Sequence, residues 1–363
     1  MTRTRVGVVG CGSVSNAYLP DLAASPHVEL VAVCDADEGR ARLAAQQHGA
    51  AAWYGDLDAM LAGPEFELLI NLTPMRLHAP INLKGLRASR HVLCEKPIAT
   101  TLADADDLLN EAARRGVGLY GAPNAVISPT FQEAARVVRA GEIGKVCAVH
   151  GRYGHGGPHE PWFYQAGGGS LFDLGVYNVV TITGLLGPAR GVVALSGIAV
   201  PRRTLHGQEF AVEAEDNTML LLDFGDGVFA SIQTGFVYPV HDDRTTIELC
   251  GTQGAAQWLG FDWAPRGIEV RVAGSPTWET RATDQEGYTW QCGGSYVARC
   301  LAAGTEPLLT AQHAYHTLEV MLGALRSAST GQRVSIASTF PLPGGGDAAQ
   351  LAAPASQAPG RLR

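Results

Sequence analysis

The 363-residue sequence predicts two domains: an α/β domain built on a parallel sheet, then an α+β domain with a predominantly antiparallel open sheet. Three observations carry this expectation. Over residues 1–122, short apolar runs alternate with helical segments. After Pro123 the runs lengthen and helices between them become scarce. Hydrophobic residues make up 46% of the chain and charged ones 17%, enough apolar material for two cores.

In the first domain "RVGVVG", "VELVAVCD", "ELLINLT", "RHVLCE" and "GLYGAP" read as strands buried on both faces. The segments "DEGRARLAAQQHG", "DLDAMLAG", "HAPINLKGLRAS" and "TLADADDLLNEAARRG" separate them; they carry helical spacing, and three close on glycine. Right-handed crossovers make such a sheet doubly wound. In the second domain, residues 123–342, the helix "TFQEAARVVRAG" leads into strands "KVCAVHGRY", "GVVALSGIAV", "TMLLLDFGDGVFASIQTGF", "TTIELCG" and "GIEVRVAG". The Asp-Gly within "FGDGV" marks a hairpin. "HAYHTLEVMLGALRSASTG" reads as a closing helix, and residues 343–363, rich in Gly and Pro without period, read as a disordered tail.

A net charge of −8 offers no basic stripe, which argues against nucleic acid. No apolar run approaches the ~20 residues of a membrane span, and the opening "MTRTRVGVVG" breaks into glycine too early for a signal peptide. Seven scattered cysteines without a C-x-x-C pair suit reduced thiols in a cytoplasmic protein.

"GVVGCGSVS" follows the first strand and opens the first helix. Gly10 permits a tight turn, and Gly12 lets backbone approach a pyrophosphate at a helix N-terminus, with Ser13 and Val14 completing the turn. Ser15 stands where a third glycine is usual and is small enough for close packing. Asp35 ends the second strand, 25 residues after Gly10, where an acid binds ribose hydroxyls and repels a ribose phosphate. NAD is therefore the expected cofactor, with NADP the other candidate because Arg40 and Arg42 follow closely.

Only three lysines occur, and Lys96 lies just past a parallel strand, between Glu95 and Pro97, where open α/β sheets place ligands. Unlike arginine, a lysine can have its proton affinity tuned by its surroundings. Glu95 is placed to orient it. In "GGGSLFDLGVYNVV", Ser170 reads as a helix N-cap with Asp173 completing a capping box, while Tyr177 falls one turn after Asp173, next to Asn178. A carboxylate and a phenol so spaced suit binding and deprotonating a hydroxyl. A nearby ammonium would bring the phenol from its ordinary ~10 toward neutrality.

Together "GCGSVS", "NLTPMRLHAP", "CEKP" and "GGGSLFDLGVY" resemble the Gfo/Idh/MocA oxidoreductases over roughly residues 1–340. The resemblance implies a Rossmann domain followed by a mixed-sheet domain, and an NAD(P)-dependent enzyme acting on a CH–OH carbon of a sugar, sugar derivative or cyclitol. It places Thr73, Pro74 and His78 near the nicotinamide, with Glu95, Lys96 and Pro97 as the Glu-Lys-Pro motif. Asp173 and Gly175 fall in the catalytic signature, whose last position, often histidine, is Tyr177 here, as in the branch containing glucose–fructose oxidoreductase. It also implies a homo-oligomer, a dimer or tetramer. The expected catalytic set is Lys96, Tyr177 and Asp173; Asn178, Asn124, Tyr153, His155, His159 and Trp162 are expected to face a polyhydroxylated substrate. No metal is expected, because His155 and His159 lack further ligands, and His313 with His316 reads as a packed helix face. Two other readings stand beside the dehydrogenase: a redox-neutral NAD-dependent epimerase, lyase or glycosidase, and an NAD-sensing regulator on the same fold.

Overall fold

The computed structural model of the protein describes residues 2–239 and 246–345, so the expected tail lies mostly outside the described residues. The chain divides into two compact units. The first takes Met1–Asn124 and, unexpectedly, Gly287–Leu322; the second takes Ala125–Glu286 and resumes at Gly323. Reading along the chain assigned 287–322 to the second domain, because adjacency in sequence was the only guide there.

The first unit is a six-stranded parallel sheet: β1 (Thr4–Val9), β2 (Val28–Cys34), β3 (Ala52–Tyr54), β4 (Leu68–Asn71), β5 (His91–Cys94) and β6 (Leu119–Gly121). Its order, β3-β2-β1-β4-β5-β6, reverses direction at β1, which creates the crevice where such sheets bind dinucleotides. Helix α1 (Ser15–Ala24) follows the glycine turn as expected, and α2 (Glu38–His48), α3 (Leu57–Ala62), α4 (His78–Arg87) and α5 (Leu102–Arg115) fall where spacing predicted them. Their ends follow from local chemistry: the Asp37 carboxylate caps α2, Thr101 caps α5, and Gly49 and Gly116 close these helices in the left-handed region. β3 was not expected, being three residues long and half exposed.

The second unit opens with α6 (Pro129–Arg139) and centres on a nine-stranded sheet. Its main strands are β7 (Val146–Gly154), β8 (Gly191–Gly197), β11 (Asn217–Gly225), β12 (Val228–Gly235), β13 (Ile247–Gly251), β14 (Gly254–Gly260) and β15 (Pro265–Val272). β16 (Glu279–Arg281) and β17 (Val334–Ser335) form its edges, while β9 (Arg202–Leu205) and β10 (Gln208–Ala211) pair as a separate ribbon. Only β7 and β12 run parallel; every other pairing in the sheet is antiparallel. The Asp-Gly hairpin is present, with Asp226 and Gly227 both at positive φ (53° and 75°) as a primed turn requires. Helix α7 (Val176–Leu186) packs on β7 and β12. The opposite face stays open and carries Leu195, Met219, Leu221 and Phe229 exposed.

Two further helices follow β16, α8 (Gly293–Ala303) and α9 (Ala311–Thr330), the latter matching the expected closing helix. α8 belongs to the first unit: it packs on β1 and β2, and the buried Thr4 hydroxyl donates to the Ala298 carbonyl at 2.8 Å. Among the described residues no helix is long and apolar enough to cross a membrane.

Candidate active site

In the first unit, the carboxyl ends of β1, β4 and β5 bring three loops together through ladder-like bonds: Gly10 N–H to Cys34 O, Leu72 N–H to Val9 O, and Glu95 N–H to Asn71 O. Gly10 sits at φ +95°, and a Cβ there would stand 2.7 Å from the Leu72 carbonyl carbon, so only glycine makes this turn. At Gly12 a Cβ would meet nothing within 4 Å. The turn leads straight into α1, which has no side-chain cap; the Ser15, Asn16 and Ala17 N–H groups bond back to the Gly12, Ser13 and Val14 carbonyls. Ser13 and Val14 are exposed at the same turn. Asp35 accepts the Cys11 N–H at Oδ2 (2.8 Å) and the Asp37 N–H at Oδ1 (2.9 Å). Each oxygen keeps a further lone pair for a ribose hydroxyl. These residues fit a bound dinucleotide.

On the β4 and β5 side, Asn71 orders the next loop by accepting from the Thr73 N–H and hydroxyl. His78, expected near the nicotinamide, is itself buried between two main-chain carbonyls. It is 1% exposed, its Nδ1 lies 2.6 Å from the Pro97 carbonyl and its Nε2 2.7 Å from the Thr73 carbonyl. It ties the Thr73–Pro74 loop to the Lys96–Pro97 loop, and burial depresses its proton affinity. Glu95 is likewise engaged: Oε1 accepts the Tyr18 hydroxyl at 2.5 Å and Oε2 the Lys96 N–H at 3.1 Å. Glu95 thus orients the main chain at Lys96, and Tyr18, which the motif did not single out, is its support. Asn124 is also withdrawn from solvent; its amide donates to the Thr289 carbonyl and the Cys292 sulfur, so a direct substrate contact gives way to a structural one.

In the second unit, residues Leu171–Gly175 form a turn of π-helix that runs straight into α7. Such turns concentrate at functional sites, and this one places the buried Asp173 just before Tyr177, in the first turn of α7. The expected capping box is absent. Ser170 instead donates to Glu215 Oε2 at 2.5 Å, and the Leu171 N–H donates to Oε1 at 2.7 Å, so a distant carboxylate caps the segment. Burial pushes Glu215 up to about 7.

Tyr177 is half-buried against an aromatic wall. Tyr153 meets it edge-on at 6.0 Å and Trp263 lies at 6.4 Å, while Phe261 stacks nearly parallel to Trp263 at 5.5 Å. Tyr153 was expected here; Phe261 and Trp263, from the β14–β15 loop, were not. His155 stacks on Phe236, and its Nδ1 accepts the Gly157 N–H. Trp162 stacks on Phe163 at 3.7 Å, and His159 is exposed with its carbonyl facing His206. Asn178 corrects another expectation: it is 0% exposed and its amide donates to Asp262 at 2.9 Å, so it serves the buried framework beneath Tyr177. Elsewhere in the unit, His150, Glu248 and Cys250 gather within 4.8 Å on the open face of the sheet, away from Tyr177. His313 and His316 are buried in α9 of the first unit.

What the first unit can hold is a dinucleotide, and what the second presents is a phenol set among rings: the class is a two-domain, NAD-dependent oxidoreductase. Residues 4–121 match the family model described as "Oxidoreductase family, NAD-binding Rossmann fold", and residues 131–257 match the corresponding C-terminal domain. The chain belongs to the Gfo/Idh/MocA oxidoreductase family. It is 33% identical to a dTDP-3,4-didehydro-2,6-dideoxy-α-D-glucose 3-reductase of Streptomyces violaceoruber, over 69% of this chain and 71% of the relative. Identity to a trans-1,2-dihydrobenzene-1,2-diol dehydrogenase of Sus scrofa is 26%, over 84% of this chain and 91% of the relative. A levoglucosan dehydrogenase solved with NADH and levoglucosan shares the fold at a TM-score of 0.82 and 20% identity, over 92% of this chain and 100% of that one.

Proposed function

We propose that the protein transfers hydride between NAD and a hydroxyl-bearing carbon of a cyclic polyol, a sugar or sugar derivative in the first instance. The observation that carries this reading is Tyr177 beside the stacked Phe261 and Trp263 rings. Flat aromatic faces suit the C–H face of a sugar ring, and a phenol at their edge suits its hydroxyl. The relatives support the substrate class, since they act on a nucleotide sugar and a cyclic diol.

When bound, NAD supplies the hydride acceptor. Gly10, Gly12, Ser13 and Val14 would form its pyrophosphate turn, and Asp35 would take the ribose hydroxyls. Tyr177 removes the hydroxyl proton in oxidation and returns it in reduction, and Lys96 is the proposed catalytic residue of the first unit, its ammonium suited to favouring an ionised hydroxyl. Asp173 holds a neighbouring hydroxyl. The open face of the second unit's sheet, with exposed Leu195, Met219, Leu221 and Phe229, supports a homo-oligomer. Seven free cysteines support a reducing, cytoplasmic compartment.

The test is a panel of aldoses, levoglucosan, inositols, cyclic trans-diols and nucleotide sugars, assayed with NAD and with NADP by reduced-cofactor absorbance. Turnover of a cyclic polyol with NAD is expected. Tightly bound cofactor with product formed at constant absorbance would replace this reading with the redox-neutral one. NAD binding without conversion of any probe would leave the regulatory one.

A further inference from the structure

The β14–β15 loop, Phe261–Ala264, presents two partly exposed rings with a carboxyl between them that is 1% exposed. The loop is turned inward by Gly260, at φ +84°, where a Cβ would stand 2.6 Å from the Ala264 carbonyl oxygen. The Gly260 carbonyl is held by the Thr246 hydroxyl at 2.6 Å. A carboxyl buried in an apolar setting is costly unless something specific retains it. Here it reaches α7: Asp262 Oδ2 accepts the Asn178 amide at 2.9 Å and the Thr181 hydroxyl at 3.4 Å. Asn178 directly follows Tyr177, and Phe261 and Trp263 directly flank Asp262. One buried hydrogen bond therefore joins the phenol's helix to the rings that stand beside it.

We propose that Asp262 is a positioning residue: by bonding to Asn178 it fixes the Phe261–Trp263 face in register with the Tyr177 hydroxyl, and so governs how a ring-shaped substrate is held. The proposal rests on the functional reading above. Burial raises the Asp262 carboxyl to about 7, against the hydrogen bonds from Asn178, Thr181 and the main chain of its own loop, which favour the charged form. What the geometry requires at this position is an oxygen that accepts the Asn178 amide. An amide at position 262 keeps such an oxygen; an apolar side chain does not.

The experiment compares Asp262→Asn, Asp262→Leu and Asn178→Ala in the full-length protein, with circular dichroism to verify folding. Backbone hydrogen exchange of the peptide spanning 260–264 is followed without substrate. KM and kcat are measured with levoglucosan, D-glucose and myo-inositol as probes. Asp262→Asn is expected to keep wild-type exchange and KM. Asp262→Leu and Asn178→Ala are expected to speed exchange in the loop about tenfold and to raise the polyol KM about tenfold, with the KM for NAD unchanged. Wild-type exchange and KM in Asp262→Leu, or in Asn178→Ala should the leucine variant not fold, would overturn the proposal. Loss in Asp262→Asn equal to that in Asp262→Leu would also overturn it. If the wild type converts neither these probes nor the cyclic trans-diols and nucleotide sugars of the panel above, the functional reading fails while exchange still decides the part played by Asp262.

Discussion

The candidate residues of the first unit and those of the second are made of different material. The nucleotide turn of the first unit is mostly main chain: glycines at Gly10 and Gly12, the tight turn that opens α1, and the Thr73 backbone, whose N–H is held by Asn71 and whose carbonyl by His78. The wall of the second unit is mostly side chain: Tyr153, Tyr177, Phe261 and Trp263, with Asn178, Asp262 and Glu215 behind them. Main-chain sites accept few substitutions but recognise a group common to many ligands, here a pyrophosphate. Side-chain sites can be rebuilt residue by residue, which suits the half that chooses a substrate.

That contrast sets the order of expected effects. Gly10→Ala is the severest change, forcing a side chain into the Leu72–Thr73 backbone at positive φ. Loss of NAD binding together with a lowered Tm is expected, read by cofactor titration and thermal melting; a normal melt would show the turn to be less constrained than its geometry. Tyr177→Phe keeps the ring and removes the proton carrier, so kcat should fall ~10²–10⁴-fold while NAD affinity is retained. Equal loss of both would break the separation of roles.

Replacing Asp35 by Ala should erode the preference for NAD over NADP about tenfold, since the repulsion of a ribose phosphate goes with the carboxylate; ratios of kcat/KM for the two cofactors decide it. The smallest effect concerns pH. Glu215 and Asp262 are both held near 7 by burial, whereas carboxyls in the unfolded chain ionise near ~4. Their contribution to stability is therefore complete below pH ~4 and is lost as pH rises through 7. Denaturation midpoints should drop between pH 5 and pH 8, and Glu215→Gln should flatten part of that drop.

Legibility in the sequence followed the same divide. The glycine turn, Asp35 and the Glu95–Lys96–Pro97 loop stand at strand ends, where local pattern and position coincide, and the alternation of strand and helix exposed the six-stranded sheet apart from the short β3. The cap on the Tyr177 segment was misassigned to Ser170 and Asp173 because local spacing satisfied a familiar motif, while the true acceptor, Glu215, lies 45 residues away. Asn178 and Asn124 looked like ligand contacts because a polar residue beside a motif gives no sign of being buried. Phe261 and Trp263 arrive through sheet pairing and a loop turned inward by Gly260, which no short-range pattern announces.

The return of residues 287–322 to the first unit has a consequence for how the protein is made. α8, which packs on β1 and takes the Thr4 hydroxyl bond, leaves the ribosome about 290 residues after β1. Domains usually complete themselves in order of synthesis. Here the nucleotide-binding unit takes a segment made only after Ala125–Glu286 of the second unit, so the growing chain waits with that sheet partly uncovered while those residues are translated.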